Sequence, residues 1–368
     1  MRSLSANAAK PLQAGPRLRI TGIPRGSVRL VGGTITPMPA ADPMVLRDLP
    51  TYGPDRCDAV DYPEAAAYTR RLAETQYENF TVVSRLLPSG LRDDFRHVYA
   101  FCRAADDLGD EVGDPHRARE LLDWWRRELD ACFAGEPRHP IYVALHRTIE
   151  KHRLPRKPFD DLIDAFVQDQ SVTRYDAWDG VLDYCTRSAD PVGRLVLRMF
   201  GHGDGAGDDE RFALSDQTCS ALQLANFWQD VRRDVLERDR VYLPRDVAAS
   251  HGLDVEAMAG AIRAHDADPA AGRPRLDAVR PAFVATMREL VERTWPMFER
   301  GHALWPRLDD PRLRASVKLF SRGGETVLRK IERRGPGGYD TLTGRPAVTK
   351  ADKLRLVMTA AAGRLLGL

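Results

Sequence analysis

Two acidic clusters, far apart in the chain, hold the residues best suited to chemistry. The first has four carboxylates within six positions: Asp106, Asp107, Asp110 and Glu111. Residues three and four apart are neighbours on a helix, so these acids would form one polar row with Tyr99 and Arg103. Like charges four residues apart destabilise a helix by about 0.2–0.5 kcal/mol per pair, so we expect a cation to offset them. Taken alone, the cluster is also typical of a solvated helix end.

A second polar row lies in the stretch Gln223-Leu-Ala-Asn226-Phe-Trp-Gln-Asp230-Val-Arg-Arg-Asp234. Asn226, Asp230 and Asp234 follow one another at four-residue steps, beside a separate apolar stripe. Two carboxylate rows that face each other across a helical bundle suit Mg²⁺, which takes one or two carboxylates, keeps waters and completes its shell with phosphate oxygens. With the arginines nearby, the two rows indicate a diphosphate substrate.

Both rows lie on stretches with the apolar periodicity of amphipathic helices, over about 91–111 and 211–237. Before the first row, five apolar residues recur at helical spacing: Leu91, Phe95, Val98, Cys102 and Ala105. The same periodicity continues between prolines and glycines, and no segment of consequence has the two-residue period of a strand. We therefore predict an all-α fold, in which residues 56–368 form one helical bundle.

The N-terminal residues 1–55 have a different composition from the rest of the chain. They are rich in Pro, Gly, Ala and Arg and show no sustained period, which indicates a flexible leader. A basic transit peptide is the alternative interpretation, weakened by two aspartates and many prolines.

Two places in the middle of the chain allow more than one interpretation. Pro191 removes a backbone donor and Gly193 lets another group approach closely. Residues 178–200 therefore hold either a plain break between two short helices or a kink that lines a cavity. Gln168, Asp169 and Arg174 form either a solvated helix end or part of the wall of a site.

Composition and charge narrow the class of protein. The 368 residues contain 55 Lys and Arg against 53 Asp and Glu, so the overall charge gives no case for nucleic-acid binding. The five cysteines are scattered and no two form a Cys-x-x-Cys pair, which is typical of reduced thiols in a cytoplasmic protein. No apolar run approaches the roughly 18 residues of a spanning helix. We expect a cytoplasmic protein, at most peripheral at the inner face of the membrane.

Taken together, the motifs resemble those of the squalene/phytoene synthase family. The likeness covers about residues 60–360 and is carried by Arg103-Ala-Ala-Asp-Asp-Leu-Gly-Asp-Glu111, by the second row, and by Arg240-Val-Tyr-Leu-Pro244. Glu78-Asn-Phe-Thr-Val-Val-Ser-Arg-Leu-Leu-Pro88 and Tyr184-Cys-Thr-Arg-Ser-Ala-Asp-Pro-Val-Gly193 are most similar to the hydroxysqualene synthase branch of bacterial hopanoid biosynthesis. The resemblance implies an isoprenoid (terpenoid) synthase fold with a central active-site cavity.

The resemblance also implies roles for individual residues. The expected ligands of two or three Mg²⁺ ions are Asp106, Asp107, Asp110, Asp230 and Asp234. The residues expected to bind the substrate are Arg103, Gln223, Asn226, Arg240, Phe80 and Ser84. Tyr99 and Tyr184 match aromatic positions that face the reacting carbons. Arg187 and Asp190, in the interrupted segment, are our candidates for holding a water molecule.

The reaction implied by this branch is the conversion of presqualene diphosphate and water to hydroxysqualene and diphosphate. Metal ions would neutralise the leaving group, and an apolar, aromatic cavity would shield the carbocation from all but one water. The alternative is head-to-head condensation of two prenyl diphosphates to presqualene diphosphate, squalene or phytoene, which the same aspartates would serve. An alternative of another class is a non-catalytic helical scaffold of the same fold.

Two departures from the family pattern matter. Many members have an arginine just before the first aspartate of the second row, where this chain has Gln229, so one diphosphate contact would be missing. The Tyr-Val-Ala-Gly type of kink found in squalene and phytoene synthases is replaced here by Ser188-Ala-Asp-Pro-Val-Gly193, which argues against plain squalene or phytoene synthesis.

The last residues of the chain predict a final amphipathic helix, opened by the capping-box pattern Thr349-Lys-Ala-Asp352. This helix has one apolar face, with the basic residues Lys353, Arg355 and Arg364 nearby. The apolar face suits packing on the bundle. Alternatively, the helix suits weak, peripheral contact with anionic lipid, beside the exit for a C30 product. For the protein as a whole, the candidate protein partners are the enzymes of neighbouring pathway steps.

Overall fold

The computed structural model describes residues 28–31, 34–37, 43–76, 87–349 and 351–352. The chain divides into two compact units, Met1–Pro43 and Met44–Leu368. In the described part of the first unit, β1 (Val28–Val31) and β2 (Thr34–Pro37) form an antiparallel hairpin in which Val28 lies opposite Pro37. The stretch predicted to lack regular structure therefore contains one short hairpin.

The second unit is helical in its described part. Its α-helices are α1 (Met44–Arg47), α2 (Leu49–Tyr52), α3 (Tyr62–Gln76), α4 (Arg92–Asp110), α5 (Pro115–Phe133), α6 (Pro140–His152), α7 (Lys157–Gln168), α8 (Trp178–Ser188), α9 (Asp190–Met199), α10 (Asp208–Arg238), α11 (Arg245–Ser250), α12 (Val255–Ala267), α13 (Pro269–Gly301) and α14 (Pro311–Glu332). Two 3-10 turns, Ser89–Leu91 and His302–Arg307, precede α4 and α14. The all-α fold predicted from the apolar periodicity is confirmed.

Aspartate side chains cap the first turns of several of these helices. Asp114, Asp268 and Asp310 each accept a backbone N–H of the following turn, and each is followed by a proline at the first helical position. A proline costs no hydrogen bond there, because the first N–H groups of a helix have no partner within it. These Asp-Pro pairs therefore fix where α5, α13 and α14 begin.

Residues 44–52 lie in the leader predicted from the sequence, but in the structure they form α1 and α2. Met44 and Val45 are buried among the side chains of the larger unit. A helix of four residues is too short to show a period, which is why composition alone placed these residues with the leader. The packed unit therefore begins at Met44 rather than at residue 56.

The larger unit has two main apolar cores. The N-terminal core is formed mainly by α1 and α3–α7, and Phe101, Trp125 and Phe159 are fully buried in it. The C-terminal core is formed mainly by α8 and α10–α14, around Trp228 and Phe283. The acidic rows lie on α4 and α10, one helix from each core, so each row adjoins a buried face as the apolar stripes predicted.

Helix α10 is the central element of the C-terminal half. It has 31 residues, so it is about 46 Å long at a rise of 1.5 Å per residue. Glycines let neighbouring helices approach it closely: a Cβ atom on Gly193 would collide with Ser215 and Cys219, and one on Gly301 would collide with Thr218. The close approach predicted at Gly193 is confirmed.

The interrupted segment of residues 178–200 is a break between two short helices. α8 ends at Ser188 and α9 begins at Asp190, while Ala189 between them leaves the helical conformation with φ −128° and ψ −50°. Pro191 lies in the first turn of α9, where its missing N–H costs no hydrogen bond. Of the two interpretations left open by the sequence, the plain break is the one observed.

Three further expectations concern the thiols, membrane-spanning helices and the capping box of the final helix. All five cysteines are unpaired thiols, as their scattered positions predicted. Among the helices described, none has a stretch long and apolar enough to cross a bilayer. The predicted capping box is present, since Thr349 N–H and Oγ1 donate to Asp352 Oδ2 at 2.7 and 2.6 Å. The predicted membrane-facing residues 353–368 lie outside the described residues.

Candidate active site

The first acidic row lies at the C-terminal end of α4. Arg103 Nη1 lies 2.8 Å from Asp106 Oδ2, and Arg103 Nη2 donates to Asp107 Oδ1 one turn further on. Asp107 is fully buried, and its Oδ2 has no hydrogen-bond partner. Arg103, on the same helix, therefore offsets part of the charge of the clustered acids.

Asp110 joins the end of α4 to the end of α10. Arg238 Nε lies 2.9 Å from Asp110 Oδ2, and Arg240 Nη1 donates to Asp110 Oδ1 at 2.7 Å. The local backbone explains how two nearby arginines reach one carboxylate. Asp239 has a left-handed conformation with φ 51°, and Arg240 N–H bonds back to the Asp234 carbonyl at 3.0 Å. This turn reverses the chain directly after the helix and returns Arg240 toward α4.

Asp169 lies on the other side of Arg240. Its Oδ2 is 3.6 Å from Arg240 Nη1 and accepts a hydrogen bond from the Tyr184 hydroxyl at 2.6 Å. Asp169 is buried and its Oδ1 has no hydrogen-bond partner. Burial raises the pKa of Asp169 to about 7, although Arg240 and the Tyr184 hydroxyl both lower it. Of the two interpretations of this residue, the structure supports a position in the wall of a site.

Aromatic rings adjoin this polar network. The Phe227 and Tyr242 rings are stacked with centroids 3.8 Å apart, and Tyr175 and Tyr184 lie 5.7 and 5.8 Å from Tyr242. We call these four residues the aromatic wall. Ring faces stabilise a nearby cation by about 0.5–2 kcal/mol each. Tyr99, the other predicted aromatic residue, is half-buried and packs against the N-terminal core.

The second acidic row lies on the last turns of α10. Burial raises the pKa of Asp234 to about 7, and the neighbouring Asp230 raises it further, while Arg238 lowers it. Arg345, from the segment after α14, reaches the row and places Nη2 3.1 Å from Asp230 Oδ2. A guanidinium group is therefore present beside Asp230, although position 229 is a glutamine.

The remaining predicted residues differ in where they lie. Gln223 and Asn226 are on α10 with the second row, half-buried and exposed respectively. Arg187 donates to Gln168 Oε1 at 2.8 Å and to Asp183, whereas Asp190 is buried and accepts from Ser220 Oγ at 2.8 Å. The structure thus gives Arg187 and Asp190 separate partners among the described residues. Phe80 and Ser84 lie outside the described residues.

A pocket of about 630 Å³ opens where α4 and α10 end. It is lined by four arginines and by the carboxylates that pair with them, among others: Arg174, Arg238, Arg240, Arg263, Asp110, Asp169, Asp239 and Glu256. Asp114 and Glu237 also line it, so its carboxylates outnumber its guanidinium groups, and an anionic ligand there would need an additional cation.

The acidic rows offer carboxylate oxygens on two helices, which bears on whether they suit magnesium. Among residues 43–76, 87–349 and 351–352, no three acidic, histidine or cysteine side chains converge as a metal site, and arginines occupy part of the carboxylate oxygens. The donor chemistry nevertheless fits, because carboxylate oxygens are the ligands that Mg²⁺ prefers. Burial raises the pKa of Asp106 to about 6 and that of Asp107 to about 7, and the buried Asp107 Oδ2 lacks a partner. A divalent cation would satisfy that oxygen and offset the repulsion.

Some residues of this site were not predicted. Arg238 is close in sequence to the predicted residues Asp234 and Arg240. Tyr242 could have been found because side chains alternate between two sides of an extended segment, which places Tyr242 on the same side as Arg240. Phe227 follows Asn226 in the second row. Arg345 has no local signal, since it is 115 positions from its partner Asp230.

Comparisons with known proteins give a consistent result. The family model "Squalene/phytoene synthase" matches residues 73–352. A hydroxysqualene synthase from Rhodopseudomonas palustris is 32% identical over 260 residues, covering 70% of this chain and 81% of the relative. One from Zymomonas mobilis is 32% identical over 294 residues, covering 79% and 89%. Among solved structures, squalene synthase HpnC from Alicyclobacillus acidocaldarius superposes with a TM-score of 0.65 at 40% identity, covering 75% of this chain and 96% of that one.

Proposed function

The chain belongs to the squalene/phytoene synthase family, and we propose that within it the protein acts as a hydroxysqualene synthase. It would ionise presqualene diphosphate in the presence of Mg²⁺ and capture the carbocation with water, giving hydroxysqualene and diphosphate. The two hydroxysqualene synthases similar over most of this chain support that choice of reaction.

One observation carries the proposal: Arg240 lies between Asp110 and Asp169, and the aromatic wall adjoins Asp169 through Tyr184. A group that binds anions is therefore next to rings that stabilise cations. Loss of diphosphate from a carbon produces both charges at once, so a site for this reaction needs both surfaces side by side. This arrangement also argues against a purely structural scaffold.

The leaving group is the first task of the site. Magnesium held by Asp106, Asp107, Asp110, Asp230 and Asp234 would supply positive charge to the diphosphate oxygens. Arg240 and Arg238 add charge-assisted hydrogen bonds, which are roughly twice as strong as neutral ones. Arg103 keeps the buried Asp107 partly neutralised before substrate binds.

The carbocation is the second task. Tyr184, Phe227 and Tyr242, which are buried against one another, would offer ring surfaces to the carbocation and exclude bulk water from the reacting carbons. Asp169 is our candidate for orienting the single water, because its buried Oδ1 lacks a partner and its pKa is raised to about 7. This role replaces the pair Arg187 and Asp190, whose side chains have separate partners.

The second candidate is head-to-head condensation of two prenyl diphosphates. The solved relative from Alicyclobacillus acidocaldarius is described as a squalene synthase, which favours this class of reaction. The acidic rows would serve it equally well, since it also begins with loss of diphosphate. The replaced kink at Ser188–Gly193 weighs against it.

The test is a product analysis of the purified, full-length protein. Presqualene, farnesyl and geranylgeranyl diphosphates are supplied separately with Mg²⁺ in H₂¹⁸O, each with and without NADPH as the hydride donor that squalene formation requires, and the products are identified by mass spectrometry. We expect turnover of presqualene diphosphate to a C30 alcohol that carries one ¹⁸O atom. Squalene, presqualene diphosphate or phytoene as the main product would support condensation instead, and no product from any substrate would contradict both.

A further inference from the structure

The pocket at the ends of α4 and α10 narrows from an exposed mouth to a buried inner end. Its volume is about 630 Å³. At the mouth, the side chains of Asp239 and Glu256 are 64% and 52% exposed. At the inner end, those of Arg240 and Asp169 are 7% and 4% exposed. The pocket therefore leads from solvent to the buried ion pair at the centre of the candidate active site.

Asp169 separates this pocket from the aromatic wall. Among the described residues that line the pocket, none belongs to the aromatic wall, and Asp110 alone belongs to the expected magnesium ligands. Asp169 lines the pocket, and its Oδ2 accepts a hydrogen bond from the hydroxyl of Tyr184, which is part of the wall. The other oxygen of Asp169, Oδ1, is buried and accepts no hydrogen bond from the described residues. One side chain thus lies between the pocket and the rings where the carbocation would form.

The lining of the pocket suits water better than a hydrocarbon chain. Six carboxylates and four guanidinium groups line it, and charged groups lose much free energy when water is removed from them. A water at a buried site needs two to four polar partners. Asp169 Oδ1 is one acceptor. Arg240 contacts Asp110 and Asp169 through Nη1, and its remaining N–H groups are donors close by.

We propose that this pocket is the entrance for the water consumed in the reaction, and that Asp169 closes its inner end so that one water at a time reaches the carbocation. This inference rests on the proposed function. Because Asp169 Oδ1 is buried, a water passes only when the carboxylate moves away from Tyr184 or Arg240. Capture forms one C–O bond and breaks one O–H bond of the water, and the diphosphate leaving group accepts the proton.

Thr173 is the residue at which the entrance can be narrowed without breaking a contact of the site. It lines the pocket and is half-buried. Its carbonyl accepts hydrogen bonds from the Val241 N–H and from Arg174 Nη1, both at 2.9 Å, and any residue at position 173 keeps that carbonyl. Phenylalanine would fill part of the pocket beside Arg240. Valine has the shape of threonine without the hydroxyl, so it separates the effect of volume from that of polarity.

The experiment supplies the full-length protein with presqualene diphosphate and Mg²⁺, without NADPH. It measures diphosphate release and, by mass spectrometry, the ratio of C30 hydrocarbon to C30 alcohol. A carbocation that meets no water loses a proton to the diphosphate and leaves as a hydrocarbon. We therefore expect Thr173→Phe to raise the ratio by about tenfold or more, while diphosphate release stays within about threefold of the wild type.

Two matched variants are the controls. Thr173→Val keeps the volume of the side chain, and Thr186→Phe places the same ring at an exposed position of α8 that does not line the pocket. Both should keep the wild-type ratio and rate. Thr173→Leu is measured as well and should raise the ratio less than phenylalanine does. If Thr173→Phe does not fold, as judged by circular dichroism, Thr173→Leu decides the question.

The outcomes separate this inference from the proposed function. An unchanged ratio in a folded Thr173→Phe protein would overturn the entrance, whether or not the rate of diphosphate release falls. An equal rise in Thr186→Phe would point to a general effect of the added ring, and an equal rise in Thr173→Val to the lost hydroxyl, and either would overturn it as well. A wild-type protein that forms no C30 alcohol from presqualene diphosphate would contradict the proposed function itself, and this inference with it.

Discussion

Arg240 donates to Asp110 Oδ1 at 2.7 Å, and this bond links the second residue after α10 to the last residue of α4. The same Nη1 is 3.6 Å from Asp169, which directly follows α7, so one buried cation lies between two carboxylates at the ends of different helices. A buried charge is tolerated only with partners, and removing one partner of such a pair typically costs about 3–5 kcal/mol. The network therefore holds its shape before any substrate arrives, which suits a site that must meet a diphosphate with donors already in place.

Replacing Arg240 should impair catalysis more than any exposed arginine nearby. Arg240→Gln removes the cation between Asp110 and Asp169, and we expect kcat/KM to fall by about a hundredfold or more, as for loss of one preorganised donor. Arg240→Lys keeps the charge and should recover part of the loss. Steady-state kinetics measures the effect, and circular dichroism checks the fold.

The matched control is Arg245→Gln, five residues further along. Arg245 is exposed and pairs with Asp176 and Glu256, and exposed pairs of this kind contribute little to stability. Its kinetics should stay close to those of the wild type. Similar losses in the two variants would mean that Arg240 acts through stability and not through the substrate.

The acidic rows should be needed for turnover and not for folding. Asp107→Asn and Asp230→Asn are each expected to lower kcat by orders of magnitude while helical content is kept, because amides are poor magnesium ligands of similar volume. Glu210→Gln, also on α10 but exposed and paired with Arg307 away from the site, is the control and should keep activity. EDTA should abolish turnover of the wild type and added Mg²⁺ should restore it. Full activity in excess EDTA would argue against the two-row site.

The helices were predictable because their signals are local. The apolar stripe before Asp106 predicted a helix over about 91–111, and the structure has Arg92–Asp110. The second stripe predicted about 211–237, against Asp208–Arg238 observed. In contrast, α1 and α2 have four residues each, too few for a period to appear. Their burial depends on contacts with distant helices, which the local sequence does not contain.

The site was predictable only in part, for the same reason. Spacing identified the two acidic rows, because their members are close in sequence. It could not say which cation pairs with which carboxylate. Arg103 pairs within its own helix, but Arg345 meets Asp230 across 115 positions and Arg240 meets Asp110 across 130. Such pairs follow from the packing of helices, and the partners of Arg187 and Asp190, Gln168 and Ser220, are likewise distant in sequence.

Close helix packing around α10 should make Gly193 intolerant of a side chain. A Cβ atom there would collide with Ser215 and Cys219 of α10, so Gly193→Ala is expected to destabilise the protein by about 1–3 kcal/mol. Gly260→Ala in α12 is the control, because a Cβ there meets no atom within 4 Å and alanine favours a helix. That variant should be neutral or slightly more stable. Urea denaturation of both proteins measures the difference, and equal stability would contradict the packing argument.

The start of the packed unit can be located with two truncations. Removing residues 2–43 leaves α1 in place, so thermal stability and activity should hardly change. Removing residues 2–52 also takes away Met44 and Val45, and each buried apolar side chain stabilises by about 1.5–3 kcal/mol. A clear fall in melting temperature is therefore expected for the longer deletion only. A fall of the same size for the shorter deletion would show that residues before Met44 also contribute to packing.

Asp190 should make stability depend on pH. Its carboxyl is buried, and burial first, then the charge of Asp216, raise its pKa to about 7. An aspartate in the unfolded chain titrates near 3.9. The folded protein therefore holds this proton more tightly, so the stabilisation from this group is complete below about pH 4 and is lost as the pH rises to about 7.

Asp190→Asn removes this titration but keeps an oxygen that can accept the hydrogen bond from Ser220 Oγ. The variant should gain stability relative to the wild type between pH 4 and 7, with a constant difference above that range. Each pKa unit corresponds to about 1.4 kcal/mol, so the gain is on the order of 1–4 kcal/mol. Urea denaturation at intervals from pH 4.5 to 8 measures it, with Asp183→Asn, an exposed residue on α8, as the control. A stability difference that does not vary with pH would show that Asp190 is ionised in the folded protein over the whole range from pH 4.5 to 8. Turnover is measured separately: if Asp190→Asn keeps its activity, Asp190 is a packing residue and not a catalytic one.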